Sequence, residues 1–166
     1  MRRRWPSESF AALAAQLVLE DGAQVVIIGD QYEMSVAEQV LAGTENAPAG
    51  RVSSIAGQTS LAELIKILLQ ASVLVANDSG LRHLAGALGI PTVGIYWCGN
   101  LINAGPLSRT QDRVQISWTT HCPVCACDAV TISPNSARCE HDVSFVTEIA
   151  VADVLEDVHA LLSDKR

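Results

Sequence analysis

The sequence has no apolar run that approaches the roughly 20 residues of a membrane-spanning helix. Its first ten residues, MRRRWPSESF, also lack the apolar stretch of a secretory signal peptide. Basic residues are scarce, since 11 Lys and Arg stand against 18 Asp and Glu and give a net charge of −7. This balance argues against a nucleic-acid partner, although Arg2, Arg3 and Arg4 form a local basic cluster. We therefore expect a cytoplasmic protein, with peripheral contact to the inner face of the inner membrane as an alternative.

Internal repeats and low-complexity linkers are also missing from the sequence. A chain of 166 residues that is 49% hydrophobic is long enough for one domain with a substantial core. We predict a single domain over residues 1–166, with an irregular, cysteine-containing segment at about 98–144. The cysteine count is five, which is odd, and it favours reduced thiols or a metal site over a disulfide framework.

Helical spacing of apolar residues alternates along the chain with short β-branched runs. Helices are predicted at 8–20, 35–41, 60–71 and 79–88 and from residue 151 onward. Ser7 is the predicted cap of the first helix, and Ser60 with Glu63 matches a capping box. Strands are predicted within 22–29, 51–57, 72–78, 92–97 and 113–117, the first of them buried on both faces. This alternation with short connections predicts an α/β fold, a Rossmann-like parallel sheet with helices on both faces.

The stretch NDSGLRHLAGALG, residues 77–89, joins the end of a predicted strand to the start of a helix. Ligands of parallel α/β sheets bind at the carboxyl ends of the strands. If Ser79 is the cap, the free amides and the positive dipole end of the helix suit a phosphate, and Gly80 keeps the approach clear. His83 lies about one turn further, on the same side. The alternative is that Asp78 and Ser79 only cap the helix and that His83 is a surface residue.

Five stretches resemble, in order, the heptosyltransferase-type glycosyltransferases, family 9 with the GT-B fold. NDSGLRHLAGALGIPTVGIY resembles their Asp-(Ser/Thr)-Gly-x-x-His signature, and RRRWPSESFAALAAQL resembles the Lys/Arg-x-Trp-Pro start of their C-terminal domain. VVIIGDQYE, IAGQTSLAELIKILLQASVLVAND and VTEIAVADVLEDVHALL resemble a strand with a Gly-x-x-x-Glu turn, a helix with its following strand, and the last helix. The resemblance covers nearly the whole chain but implies only the C-terminal, donor-binding half of the fold. The N-terminal, acceptor-binding domain has no counterpart, so we expect an excised domain, a fragment, or a half whose partner is another polypeptide.

The resemblance also implies roles for individual residues. Residues 78–80 would hold the diphosphate of a nucleotide-sugar, and His83 would lie beside the diphosphate and the sugar. Arg3 would reach the phosphates, with either neighbouring arginine as the alternative, and Glu33 would accept hydrogen bonds from the ribose hydroxyls. Arg82 would add a phosphate contact or be a solvated charge. The donor-binding candidates are Arg3, Glu33, Asp78, Ser79, Gly80, His83 and, as a further candidate, Arg82.

The reaction implied by the family is inverting glycosyl transfer, with ADP-heptose as donor and a lipopolysaccharide-core-type glycolipid or saccharide as acceptor. No Asp-x-Asp metal motif is visible, and a cationic side chain with a helix dipole could stabilise the departing nucleoside diphosphate, so no cofactor is required. The catalytic base of the family lies in the N-terminal domain, so no catalytic residue is assigned here and we expect the chain alone to transfer poorly. The alternatives are a non-catalytic nucleotide-sugar-binding module and half of a GT-B nucleotide-sugar epimerase.

The irregular segment contains a cluster of thiols. Its sequence, HCPVCACDAVTISPNSARCEHD, carries a Cys-x-x-Cys pair followed by further Cys and His residues, a spacing found in zinc sites. A structural zinc ion would stabilise this segment, and buried or loosely paired thiols are the alternative. The predicted zinc ligands are Cys122, Cys125, Cys127 and Cys139, flanked by His121 and His141.

Overall fold

The computed structural model describes residues 2–108, 110–130 and 140–163. Helices and strands alternate along most of the chain, as the sequence predicts. The elements in chain order are α1 (Ser7–Asp21), β1 (Val25–Ile27), α2 (Met34–Ala42), β2 (Val52–Ser54), α3 (Leu61–Leu68), β3 (Leu74–Asn77), α4 (Gly80–Ala87), β4 (Thr92–Trp97), α5 (Cys98–Ala104), β5 (Asp112–Ser117) and α6 (Val151–Ser163).

All strand pairs are parallel among the described residues, which confirms the predicted fold class. β4 lies between β3 and β5, so that Thr92 pairs with Leu74 on one side and with Asp112 on the other. β1 and β2 form a separate two-stranded ladder. The parallel strands of the described residues thus form two hydrogen-bonded ladders.

Helices pack on both faces of β3 and β4, and alternate residues of these strands supply the two cores. Val93 and Ile95 contribute to the core under α1 and α6, whereas Leu74 and Ala76 contribute to the core under α3 and α4. The first core is Trp5, Leu13, Val93, Ile95, Val146, Ile149, Val154, Val158 and Leu161. The second is Leu68, Leu74, Ala76, Ala85 and Ile90. Helices cover β3 and β4 on both faces. The loops of the site extend from the carboxyl ends of these two strands.

Local chemistry accounts for the start of α3 and the end of α1. Ser60 and Glu63 form the predicted capping box at α3. α1 ends at Gly22, whose φ of 64° lies in the left-handed region that glycine adopts most easily. The predicted cap at Ser7 is wrong, because Pro6 occupies the N-cap position and Ser7 is already helical. Proline is suited to this boundary because its fixed φ starts the helix without needing an N–H donor.

Two further expectations differ from the structure. β1 is not buried on both faces, since Val26 is 40% exposed in the small two-stranded ladder. The segment after β4 is not wholly irregular, because α5 begins at Cys98, directly after the strand. None of the helices in the described ranges combines the length and the apolar character that a membrane crossing needs.

Candidate functional site

Residues 78–80 connect the end of β3 to the first turn of α4, and this connection is called the α4 mouth. The N–H of Asp78 still donates to the carbonyl of Ile95 at 3.0 Å, so the ladder continues one residue past the strand. Ser79 occupies the predicted N-cap position with an extended φ of −149°, but its side chain makes no capping hydrogen bond. A Cβ atom on Gly80 would meet no other atom within 4 Å. Gly80 is exposed and lies at the positive dipole end of α4, a position that suits an anion.

Asp78 connects three side chains around this mouth. Its carboxylate is only 5% exposed and lies 3.5 Å from Arg3 Nη1 and 3.4 Å from His83 Nε2. Its Oδ2 atom also accepts a hydrogen bond from Asn100 Nδ2 at 2.8 Å. The Asp78 carboxylate therefore holds these three side chains together beside the start of α4.

His83 is held at both ring nitrogens. Arg82 Nη2 lies 2.7 Å from His83 Nδ1, and a guanidinium can only donate, so Nδ1 accepts this hydrogen bond. The ring proton then lies on Nε2, which faces the Asp78 carboxylate. The His83 side chain is 47% exposed at the edge of the mouth. Both nitrogens have partners, which argues against His83 as the proton-accepting base.

Arg82 points away from the mouth and packs against β4. Its side chain is 3% exposed, and its Nη1 lies 3.5 Å from Asp112 Oδ1. The guanidinium carbon lies 5.5 Å from the centre of the Tyr96 ring. Gly94 makes room for this packing, because a Cβ atom there would lie 3.0 Å from Arg82 Cδ. The interpretation of Arg82 as a solvated charge is therefore corrected, because its side chain is one partner of a buried ion pair.

Tyr96 lies beside this ion pair and reaches the end of α5. Burial raises the pKa of Tyr96 to about 12, with Asp78 and Asp112 adding to the rise and Arg82 opposing it. The phenol is therefore protonated near neutral pH, and its hydroxyl donates to the carbonyl of Ala104 at 2.9 Å. This hydrogen bond fixes α5, the helix that carries the asparagine bonded to Asp78.

The N-terminal segment brings its arginines to the ends of two strands. Trp5 N donates to Asn77 Oδ1 at 2.9 Å, which anchors the segment at the end of β3. From this anchor Arg3 reaches Asp78, while Arg4 Nη2 lies 3.6 Å from Glu33 Oε1. The structure thus gathers five predicted candidates, Arg3, Asp78, Ser79, Gly80 and His83, around the α4 mouth. Glu33 is connected to them through the next arginine of the same segment.

The thiol cluster is gathered only in part. One ligand atom each from Cys122, Cys125 and His141 lie within 4.8 Å of one another. Cys127, a predicted zinc ligand, does not belong to this group, and Cys139 lies outside the described residues. His141, which the sequence reasoning treated only as a flanking residue, takes a place in the cluster.

Three side chains that position the site were missed by the sequence reasoning: Asn77, Asn100 and Asp112. Asn77 is the last residue of β3, and Asn100 lies in α5 just after the neighbouring strand β4. Because ligand sites form at the carboxyl ends of parallel strands, both positions could have been considered from the sequence. Asp112 begins β5 at the opposite end of the ladder from the α4 mouth, and nothing in its local sequence indicates a partner on α4.

Comparison with known proteins identifies a match to one family over most of the chain. The model of "Glycosyltransferase family 9 (heptosyltransferase)" matches residues 1–129. The chain is 34% identical over 160 residues to lipopolysaccharide heptosyltransferase 2 of Escherichia coli, covering 96% of this chain and 43% of that protein. It is 29% identical over 163 residues to lipopolysaccharide heptosyltransferase 2 of Salmonella typhimurium, covering 98% of this chain and 44% of the relative. The chain therefore spans less than half the length of these relatives.

Solved structures match over the same extent. The structure of Escherichia coli ADP-heptose lps heptosyltransferase II aligns with a TM-score of 0.74 at 26% identity, over 99% of this chain and 43% of that one. A glycosyl transferase family 9 structure from Veillonella parvula aligns with the same TM-score of 0.74 at 21% identity, over 98% of this chain and 43% of that one. At that lower identity the second match bears on the fold alone.

Proposed function

Because the chain belongs to glycosyltransferase family 9, we propose that it is the donor-binding half of an inverting, metal-independent heptosyltransferase. The observation that carries the proposal is the open α4 mouth, flanked by Arg3 and His83, both of which contact the buried Asp78. The relatives are named lipopolysaccharide heptosyltransferases, and one solved relative is named for ADP-heptose. ADP-heptose is accordingly the donor we propose, and a lipopolysaccharide-core glycolipid or saccharide the acceptor.

The diphosphate of the donor would lie in front of the first turn of α4. There the amides at the helix start can donate to phosphate oxygens, and the helix dipole favours the negative charge. Arg3 is 51% exposed, so its guanidinium can turn from Asp78 towards a phosphate without leaving a buried cavity. Its planar, permanently charged head suits a phosphate oxygen pair.

Glu33 is the proposed acceptor for the ribose hydroxyls. Its side chain is 45% exposed, and its Oε1 atom is 3.6 Å from Arg4. Its other oxygen, Oε2, accepts from the N–H of Asp30 at 3.3 Å, which orients the carboxylate at the turn after β1. Arg3 and Arg4 are consecutive, so one anchored segment would both contact the diphosphate and hold Glu33 for the ribose.

In the proposed reaction an acceptor hydroxyl attacks the anomeric carbon of the sugar while the bond to the nucleoside diphosphate breaks. The charge that develops on the departing diphosphate is stabilised by Arg3 and by the α4 dipole. His83 packs beside the diphosphate and offers no unpartnered nitrogen to the acceptor proton. The base that accepts this proton belongs to the part of the relatives that this chain does not span.

Calorimetry on the isolated chain tests donor binding. ADP-heptose, ADP, a UDP-sugar and a GDP-sugar are titrated into wild type, Arg3→Ala and His83→Ala. We expect ADP-heptose to bind best, and Arg3→Ala to weaken it about tenfold or more, because a hydrogen bond to a charged group contributes about 1.5–3 kcal/mol. Arg51→Ala is the matched control, since its exposed side chain donates to the Gly22 carbonyl far along the chain from the mouth.

Two outcomes would contradict the proposal. If Arg3→Ala and His83→Ala both leave the affinity unchanged, the site is wrongly assigned. If labelled ADP-heptose and a lipopolysaccharide-core acceptor give robust transfer with this chain alone, the base cannot lie in the missing part.

A further inference from the structure

The loop over residues 120–129 forms a closed turn that presents two cysteines together. The N–H of Cys122 donates to the carbonyl of Cys127 at 2.9 Å, and the N–H of Ala126 donates back to the carbonyl of Cys122 at 2.8 Å. An antiparallel bridge between His121 and Asp128 closes the base of the turn. These backbone hydrogen bonds bring the side chains of a Cys-x-x-Cys pair to one side of the turn.

Ala126 shows that this turn is held in an unfavourable conformation. Its φ of 55° is the one positive value recorded for a non-glycine residue in the described ranges. The left-handed conformation costs an L-residue about 1–2 kcal/mol. Conformations of this kind persist where the surroundings determine them, often at ligand sites. The strained residue directly follows Cys125, where the chain must reverse for both thiols to face one point.

A third ligand type reaches the same point from a segment far along the chain. His141 Nδ1 lies 3.9 Å from Cys122 Sγ, and a Cys125 ligand atom completes a group whose members are all within 4.8 Å of one another. Cys122 is 2% exposed, so one side of the group is buried, whereas the other two residues are exposed. We propose that Cys122, Cys125 and His141 bind a structural zinc ion.

The distances fit this ion. Zinc bonds thiolate sulfur at about 2.3 Å and imidazole nitrogen at about 2.0–2.1 Å in tetrahedral geometry. Such bonds separate a sulfur from a nitrogen ligand by about 3.6 Å and two sulfurs by about 3.8 Å. The observed separation of 3.9 Å between Cys122 and His141 needs a shift of only a few tenths of an ångström. Two thiolates with an imidazole are a donor set that suits zinc.

The zinc ion would fix the segment that holds the N-terminal arginines. The carbonyl of His141 accepts from Arg2 Nε at 3.1 Å, and Phe145 N donates to the carbonyl of Arg2 at 2.7 Å. Ser144 Oγ also donates to the carbonyl of Arg4 at 2.6 Å. Residues 141–145 therefore lie along the backbone on both sides of the proposed phosphate-binding arginine. This second part of the inference rests on the proposed function, whereas the zinc site itself does not.

Metal analysis tests the site directly. Protein carrying no polyhistidine tag is purified without added zinc, and zinc and iron are quantified by mass spectrometry. We expect about one zinc per chain, lost in Cys125→Ser and His141→Ala, whose exposed positions favour normal folding. Cys98→Ser, which lies on α5, and Cys127→Ser are the matched controls and should retain zinc. Circular dichroism confirms that each variant is folded.

Three results would overturn the zinc site. The first is a zinc content near zero, and the second is iron in place of zinc. The third is fewer than five reactive thiols after denaturation in chelator, because that count would mean a disulfide among the five cysteines. Cobalt substitution gives an independent readout, since thiolate-bound cobalt has a charge-transfer band that the two ligand variants must lose.

Nucleotide binding tests the link to the arginine segment. We expect removal of zinc by a chelator to weaken ADP binding several-fold and to lower the thermal midpoint, with both restored by added zinc. Equal ADP affinity with and without zinc would overturn this link. If zinc-loaded wild type binds no nucleotide at all, the proposed function fails, and the metal content still decides the zinc site.

Discussion

Replacing Asp112 by asparagine tests the buried ion pair that this residue of β5 forms with Arg82 of α4. Arg82 is 3% exposed and Asp112 10%, and their nearest charged atoms are 3.5 Å apart. Two unit charges at this distance attract by about 5 kcal/mol at an effective dielectric constant of about 20. Thr92 Oγ1 also donates to Asp112 Oδ1, at 2.5 Å, and an asparagine oxygen can still accept this hydrogen bond. The substitution therefore removes a charge and changes little of the shape.

We expect Asp112→Asn to lower the free energy of unfolding by about 3 kcal/mol. Breaking a buried pair by removing one charge typically costs about 3–5 kcal/mol, because the other charge stays buried without compensation. The amide oxygen can still accept from the guanidinium, which places the expected loss at the lower end. In the double variant Arg82→Met/Asp112→Asn no charge is left uncompensated. Its stability should therefore exceed that of Asp112→Asn despite the second substitution.

Urea unfolding followed by tryptophan fluorescence measures these differences, since Trp5 is 2% exposed and reports on the core. Asp21→Asn is the matched control: its carboxylate lies closer to its partner, 2.9 Å from His159 Nε2, but the two side chains are 34% and 41% exposed. An exposed pair contributes at most about 1 kcal/mol. The reasoning is refuted if Asp112→Asn costs no more than Asp21→Asn, or if the effects in the double variant are additive.

Three further substitutions test other parts of the structure. Ser60→Ala removes the capping box of α3 and should cost about 1 kcal/mol in urea unfolding; no change would show that the cap does not contribute. The pKa of Tyr96 is raised to about 12 in the fold, so its contribution to stability is complete below pH 10 and is lost as the pH rises towards 12. Urea unfolding measured between pH 10 and about 12 should show this loss of stability in wild type and not in Tyr96→Phe. Gly43→Ala would place a Cβ atom 2.6 Å from Ala11 Cβ, between α1 and α2. This overpacking should lower the free energy of unfolding by about 1–3 kcal/mol and thereby lower the thermal midpoint. Gly80→Ala is its control, since a Cβ atom there meets nothing within 4 Å; equal midpoints would contradict the packing.

The elements that the sequence predicts best are those whose local pattern and final environment agree. β4 is observed at Thr92–Trp97, the predicted range, because its β-branched run becomes the central strand between two cores. α3 begins where the capping box predicts. By contrast, the seven residues of α5 (Cys98–Ala104) have no buried member, and so no apolar stripe marked this helix.

The candidate site was predicted where one local stretch supplies it. The β3 to α4 connection carries its own strand end, cap position and glycine, and the structure forms the mouth there. The position of Arg82 was not predictable in this way. A charged residue on a helix is ordinarily expected in water, and its burial depends on Asp112, which lies 30 residues further along the chain.

The contacts of Asp78 suggest why the site combines a buried carboxylate with an anion-binding helix end. The charges of Asp78 and Arg3 offset each other, and so do those of Arg82 and Asp112. Without donor the network is therefore close to electrically neutral, and the arginine is held near the mouth by a contact weak enough to exchange. A diphosphate in the proposed position would face the positive end of the α4 dipole, and the Arg3 guanidinium could turn towards it, while Asp78 keeps Asn100 and the imidazole in place. On this reasoning the carboxylate organises the site before binding, and the binding energy comes from the groups around it.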